Sequence, residues 1–143
     1  MRVVNHVGLT VTDLGRSVAF YRDVVGLDVQ VERFRTGGEW FDTLTQNSGA
    51  LIDGAMLGDD SFTLQLLQYE EGGGPAAATG HNRVGNLHLS INVADAAAKR
   101  EEVLAAGAHP TPLVELPVPG ACSFYVHDPD GVPVEFMQLD GSA

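Results

Sequence analysis

The sequence is poor in the features that mark secreted and membrane-spanning proteins. It contains one cysteine, Cys122, so no disulfide can form within the chain. No apolar run approaches the roughly 18 residues that a membrane-spanning helix needs. The first residues, Met1–His6, lack the apolar core of a secretory signal peptide. We therefore expect a cytoplasmic protein that contacts no membrane.

Basic residues are also scarce. The chain has 8 lysines and arginines against 19 acidic residues, which gives a formal net charge of −11. Such a surface repels phosphate backbones and anionic lipids, so nucleic acid and membrane surfaces are not expected partners. A small-molecule partner remains, and even an anionic one is compatible if a bound metal ion reverses the local potential. With 143 residues, 44% of them hydrophobic, the chain can form one compact domain or two small packed halves.

An internal repeat organises the sequence. The segment His6–Asp13 (HVGLTVTD) aligns with His88–Asp95 (HLSINVAD) at an offset of 82 residues (88 − 6). Both segments have the form HxxxxVxD, and their alternating apolar residues predict strands. Each final aspartate is a suitable N-cap for a following helix, which Gly26 and Gly107 would end in the two halves.

Strands are predicted after each helix, so each half is a βαβββ module. The predicted fold class is α+β, with modules at residues 1–71 and 84–143 separated by a glycine- and alanine-rich linker at 72–83. Turns are predicted at Gly58–Asp60 and Asp128–Gly131. The predicted strands are Asp28–Phe34, Trp40–Thr45, Ala50–Leu57 and Phe62–Tyr69, then His109–Leu116, Ala121–His127 and Val132–Gln138.

Four polar residues lie where the repeat predicts buried strands. His6 and His88 occupy equivalent positions, and Gln65 and Glu135 lie in apolar last strands of the two halves. Burying an isolated carboxylate or an unpaired amide is unfavourable, and coordination to a cation removes that cost. Two imidazoles and two oxygens suit one divalent ion such as Ni, Co, Mn, Fe or Zn. The four residues are the predicted metal ligands.

A purely structural interpretation competes with the metal site at each polar residue. A single histidine in an apolar strand is more often a hydrogen-bonded core or edge residue than a ligand, so the metal prediction depends on four matched positions. Tyr69 has the parity to line a pocket, whereas Gln68 does not share the face of Gln65. Three histidines without a repeat partner are expected at the surface or behind the ligands: His81, His109 and His127.

With these motifs in place, the sequence resembles the vicinal oxygen chelate superfamily, which includes glyoxalases, bleomycin resistance proteins and extradiol dioxygenases. The resemblance implies paired βαβββ modules that form a curved mixed sheet around a metal-binding cup, in a homodimer. The motifs that carry the resemblance are HxxLxVxDL at His6–Leu14, SxxFY at Ser17–Tyr21, Gly26-Leu27, LQLL at Leu64–Leu67, Leu87-His88 and DPDGxxVE at Asp128–Glu135.

The order His, Gln, His, Glu is similar to the ligand sets of methylmalonyl-CoA epimerase and glyoxalase I. That resemblance implies an isomerase, epimerase or lyase that removes a proton next to a metal-polarised carbonyl, with Glu135 as the base and an enolate or enediolate as the product of proton removal. The epimerase comparison also calls for a second acid, where this chain has residues 48–50; Asp53 and Glu39 are nearby acids, and neither matches that position. A dioxygenase, a thiol transferase and a non-catalytic antibiotic-binding protein are the alternatives.

Overall fold

The computed structural model describes residues 1–140 and divides the chain into two compact units, Met1–Ala77 (unit 1) and Ala78–Ala143 (unit 2). Residues 141–143, the end of the predicted second module, lie outside the described residues. Each unit combines one four-stranded mixed sheet with helices, so the predicted α+β class with two modules is confirmed. The bounds of the linker at 72–83 stay a prediction. Among the described residues, no helix has the length and hydrophobicity to span a bilayer.

In unit 1 the strand order is β1-β4-β3-β2, with β1 parallel to β4 and the other pairs antiparallel. Helix α1 continues directly into a π-helical turn that ends at Gly26, whose left-handed backbone (φ 94°) closes it as predicted. The elements are β1 (Val7–Thr10), α1 (Leu14–Ala19), the π-helical turn (Phe20–Val25), β2 (Asp28–Gly37), α2 (Glu39–Thr45), β3 (Leu51–Gly58) and β4 (Thr63–Glu71).

Unit 2 repeats this arrangement with fewer residues. Its strand order is β5-β8-β7-β6, and again the first strand is parallel to the last. The Asp128–Gly131 turn joins β7 and β8, and the Gly131 N–H donates to the Asp128 carbonyl at 2.9 Å. The elements are β5 (Leu89–Asn92), α3 (Ala96–Ala105), β6 (Val114–Glu115), β7 (Cys122–His127) and β8 (Pro133–Gln138).

Strand register shows that the first and last strands pair in the same way in the two units. Gly8 pairs with Gln65 in unit 1, and Ser90 pairs with Glu135 in unit 2. The first residues of these pairs are 82 positions apart (90 − 8), which is the offset of the sequence repeat. The same ladder position therefore holds Gln65 in one unit and Glu135 in the other.

Both main helices begin with the same pair of side-chain acceptors. Asp13 accepts from the backbone N–H of residue 16, and Asp95 from that of residue 98, as the sequence predicts for N-caps. A glutamine on the last strand of each unit completes the cap: Gln68 accepts from the N–H of residue 14 at 2.7 Å, and Gln138 from that of residue 96 at 2.9 Å. These bonds fix each helix start to its sheet.

One main helix covers one face of each sheet. Helix α1 packs on β3 and β4, and α3 packs on β7 and β8. Alternation along β4 and β8 sends Leu64 and Leu66, or Val134 and Phe136, into these buried layers. The side chains of Gln65 and Glu135 therefore leave their sheets on the faces that α1 and α3 do not cover.

Two strand predictions are wrong. The predicted strand Trp40–Thr45 is the helix α2: its apolar residues 40, 41 and 44 have helical spacing, and the hydroxyls of Thr43 and Thr45 donate to carbonyls four residues earlier. The predicted strand His109–Leu116 shrinks to Val114–Glu115, because prolines at 110, 112 and 117 cannot donate to a ladder. The other predicted strands are present, with bounds shifted by a few residues at most.

Candidate metal centre

The four predicted ligands occupy two equivalent half-sites, one in each unit. His6 and His88 each stand one residue before the first strand of their unit, and Gln65 and Glu135 lie on the last strand. Each histidine stands two residues before the first-strand residue that pairs with its oxygen donor, Gly8 with Gln65 and Ser90 with Glu135. We call His6 with Gln65 the first half-site, and His88 with Glu135 the second half-site.

In the second half-site, the donor atoms are close enough to share an ion. His88 Nε2 lies 3.7 Å from Glu135 Oε2. Metal–nitrogen and metal–oxygen bonds of about 2.0–2.2 Å place two ligand atoms of one ion no more than about 4.4 Å apart. The Glu135 side chain is only 11% exposed, and within residues 1–140 it forms no ion pair with a lysine or arginine. Such a desolvated carboxylate gains by binding a cation.

Two residues of β7 hold the Glu135 carboxylate from the neighbouring strand. The Ser123 hydroxyl donates to Glu135 Oε1 at 2.7 Å. Tyr125 pairs directly with Glu135 across the ladder, and its hydroxyl oxygen lies 3.4 Å from His88 Nε2. Burial and then the nearby Glu135 charge raise the pKa of the Tyr125 phenol, which keeps it protonated and able to donate.

Further histidines extend this cluster. The His81 ring packs edge-on against Tyr125, with centroids 4.5 Å apart, and lies 6.0 Å from the His88 ring. The His127 ring lies 6.2 Å from that of His81. His81 therefore stands behind a predicted ligand, one of the two settings expected for it. Ser123 and Tyr125 were missed by the sequence reasoning, although both have the parity that faces Glu135 once β7 and β8 are paired as a hairpin.

The first half-site has a histidine with a side-chain partner. His6 Nδ1 lies 2.6 Å from the Asn5 side-chain oxygen. A hydrogen bond at one ring nitrogen is the usual support for an imidazole that binds a metal through the other. Gln65 pairs with Met56 of the neighbouring strand β3, and its Oε1 would lie 3.8 Å from a Cβ at residue 8, which is a glycine. A neutral amide in this setting suits a weak oxygen ligand.

Of the two acids considered for the second catalytic position, Asp53 points away from the first half-site. Asp53 pairs with Gln68 in the ladder, so its side chain leaves the sheet on the face opposite Gln65. It binds Arg33 in an ion pair, which holds the pKa of the Asp53 carboxyl below its ordinary value. Glu39 lies in the first turn of α2. Asp53 therefore does not supply the second acid that the epimerase comparison calls for.

Within residues 1–140, no three His, Cys, Asp or Glu side chains converge closely enough to hold an ion by themselves. The structure provides donor pairs instead, and the second half-site is the pair whose donor atoms fit one ion. The combination of His6, Gln65, His88 and Glu135 around a single ion stays a prediction.

A family comparison agrees with this architecture. Residues 3–136 match the model of the Glyoxalase/Bleomycin resistance protein/Dioxygenase superfamily. The match spans nearly the whole chain, and the protein belongs to this superfamily, as the sequence motifs indicated. No curated protein sequence matches the chain.

Solved structures share the fold at low sequence identity. A glyoxalase family protein from Bacillus cereus is 20% identical, with a TM-score of 0.75 over 96% of this chain and 94% of its own. The fosfomycin resistance protein FosX from Listeria monocytogenes, solved with Mn(II) and sulfate, is 15% identical (TM-score 0.62, 97% and 93% covered). A lactoylglutathione lyase from Agrobacterium tumefaciens is 21% identical (TM-score 0.60, 95% and 92% covered).

Proposed function

We propose that the protein is a metal-dependent isomerase, epimerase or lyase that moves a proton next to the carbonyl of a small α-oxygenated substrate. The observation that carries the proposal is the second half-site, where a desolvated carboxylate lies 3.7 Å from an imidazole nitrogen. His6, Gln65, His88 and Glu135 would hold the ion. The Mn(II) bound to FosX, a structural neighbour, supports a divalent ion but does not select one.

The chain's own residues define the proton-transfer machinery. A bound divalent ion would polarise the substrate carbonyl and acidify the neighbouring C–H. Glu135 would accept that proton, because it is the only carboxylate in either half-site and an amide such as Gln65 has no useful basicity. Ser123 and Tyr125 would keep the carboxylate aimed while its protonation changes. His88 would fix the position of the substrate oxygen relative to this base through the ion.

The ligand set favours proton transfer over oxygen activation. Four protein ligands leave fewer open positions than the three-ligand arrangement that dioxygen and a catecholate require together. The set is similar to those of methylmalonyl-CoA epimerase and glyoxalase I, although the placement of Asp53 argues for one base rather than two. A homodimer is proposed on the same family grounds.

Metal titration and hydrogen exchange test the proposal together. We expect purified protein to bind about one Mn(II) per chain, and to catalyse incorporation of solvent deuterium next to the carbonyl in a panel of α-hydroxycarbonyl compounds. Glu135→Gln should lower exchange by at least about 100-fold, the usual contribution of a general base. Glu101→Gln, the same chemical change at an exposed residue of α3, is the control and should leave exchange unchanged.

Three results would contradict the proposal in different ways. Protein that binds no divalent ion would indicate a non-catalytic binding protein. Oxygen consumption without deuterium exchange would indicate an oxygenase. Full exchange in a folded Glu135→Gln variant would remove Glu135 as the base.

A further inference from the structure

Ser123 anchors only one of the two oxygens of Glu135. Its side chain lies on β7, is 5% exposed, and donates to Oε1 at 2.7 Å. The other oxygen, Oε2, is the one that lies 3.7 Å from His88 Nε2. The two carboxylate oxygens are therefore distinguished by their partners: one is bound to a buried hydroxyl, and the other faces the histidine of the half-site.

We propose that Ser123 is a positioning residue that restricts Glu135 to single-oxygen coordination through Oε2. This inference rests on the proposed metal site. A carboxylate can bind an ion through one oxygen or through both, and the second mode would require Oε1 to turn away from its hydrogen bond. In that second mode the ion would satisfy Oε1, but the buried Ser123 hydroxyl would lose its acceptor, which is unfavourable, so the single-oxygen mode is held.

The consequence concerns the substrate. A carboxylate bound through both oxygens occupies two coordination positions, whereas one bound through Oε2 leaves a position free. A substrate that chelates with two neighbouring oxygens needs that additional position. Ser123 would thus preserve the capacity of the ion for two substrate oxygens.

The equivalent position in unit 1 supports this specific role. Ser123 pairs with Met137, and its counterpart in the first sheet, Gly54, pairs with Leu67. Gly54 has no side chain to donate to Gln65, which is a neutral ligand and has only one oxygen. A hydroxyl is therefore present beside the ligand that has two equivalent oxygens and absent beside the ligand that has one.

A pair of nearly isosteric variants isolates the hydroxyl. Ser123→Thr keeps it, and Ser123→Val replaces it with a methyl group while adding the same bulk. Mn(II) affinity would be measured by titration, and the number of Mn(II)-bound waters by water-proton relaxation. Cys122→Ala, a truncation at the adjacent β7 position on the opposite face, is the control. Circular dichroism would confirm that each variant is folded.

We expect Ser123→Val to weaken Mn(II) binding by about 10- to 100-fold relative to Ser123→Thr, as loss of a residue behind a ligand typically does. It should also lose one bound water, as Glu135 turns both oxygens to the ion. Equal affinities and water counts in the two variants would overturn the role of Ser123 while leaving the metal site intact. Failure of the unaltered protein to bind Mn(II) would instead overturn the proposed function, and this inference with it.

Discussion

Gly54 allows an aromatic ring to lie against the sheet beside the first half-site, and Gly54→Ala should displace that ring. A Cβ at residue 54 would lie 2.2 Å from Phe34 Cζ and 2.6 and 2.7 Å from its two Cε atoms. Contacting carbons lie at least about 3.5 Å apart, so the ring would have to move by about 1.3 Å (3.5 − 2.2). Phe34 packs on the cluster formed by Phe41, Ala50 and Ile52, so this movement disturbs the junction of α2 and the sheet.

The expected change in stability follows from two opposing terms. Overpacking typically costs about 1–3 kcal/mol, whereas replacing glycine by alanine restricts the unfolded chain and returns about 0.4–1 kcal/mol. The mid-range values leave a net destabilisation of about 1.3 kcal/mol for Gly54→Ala. In a Phe34→Ala background the overpacking term disappears, so the same substitution should be neutral or slightly stabilising. The coupling energy between the two positions should therefore be about 2 kcal/mol.

Chemical unfolding followed by tryptophan fluorescence measures this cycle. Trp40 is the single tryptophan and lies in α2, so its emission reports on unit 1. Gly74→Ala is the control, because a Cβ there meets no atom within 4 Å. If Gly54→Ala cost the same with and without the Phe34 ring, within the roughly 0.5 kcal/mol scatter of additive sites, the steric reasoning would be refuted.

Two further predictions concern the caps and the Arg33–Asp53 ion pair. Gln68→Ala and Gln138→Ala should each destabilise their unit by about 0.5–2 kcal/mol, because each leaves a first-turn N–H without its acceptor. Thermal unfolding compares them with a Glu32→Ala change at an exposed position of β2, and a neutral effect of both would contradict the cap assignment. Arg33 lowers the pKa of Asp53 below its ordinary 3.8, so this carboxylate contributes stability that is fully present above pH 3.8 and lost as the pH falls through the lower folded-state value. The stability difference between the unaltered protein and Asp53→Asn should therefore shrink under acidic conditions, and a difference that grew with acidity would contradict the pairing.

The internal repeat could be predicted because short sequence signals within each half specify it. Asp13 and Asp95 cap helices at positions set by the sequence offset, and the strands that precede them alternate apolar residues in the same way. Equivalent ladder positions for Gln65 and Glu135 follow from these shared signals, since a slip of one residue would turn every apolar side chain to the wrong face. Sequence alone was therefore sufficient to give the two oxygen donors equivalent positions, while the metal-binding roles of all four residues stay a prediction.

Other features depend on contacts that no local pattern encodes. The threonines of α2 favour strands by propensity, and the helical spacing of residues 40, 41 and 44 decides the element only together with the packing of Phe41 on Ala50 and Ile52. Ser123 and Tyr125 precede Glu135 by 12 and 10 residues, and only the register of the β7–β8 hairpin brings them beside it. Their chemistry was inconspicuous in the sequence, because a serine and a tyrosine on a strand carry no signal until their partner is known.

The difference between the two half-sites follows from charge rather than from position. Gln65 and Glu135 share one ladder position, but a carboxylate with little solvent must be matched by donors, whereas an amide carries no net charge to stabilise. Unit 2 places a serine and a tyrosine across the hairpin from Glu135, at the positions where unit 1 has Gly54 and Met56. The glycine in unit 1 is then free to serve packing, since it admits the Phe34 ring. The two units thus share one ladder pattern and differ at two positions of the neighbouring strand. In unit 2 these positions hold Ser123 and Tyr125, which orient the charged Glu135. In unit 1 they hold Gly54 and Met56, which leave apolar atoms beside the neutral Gln65.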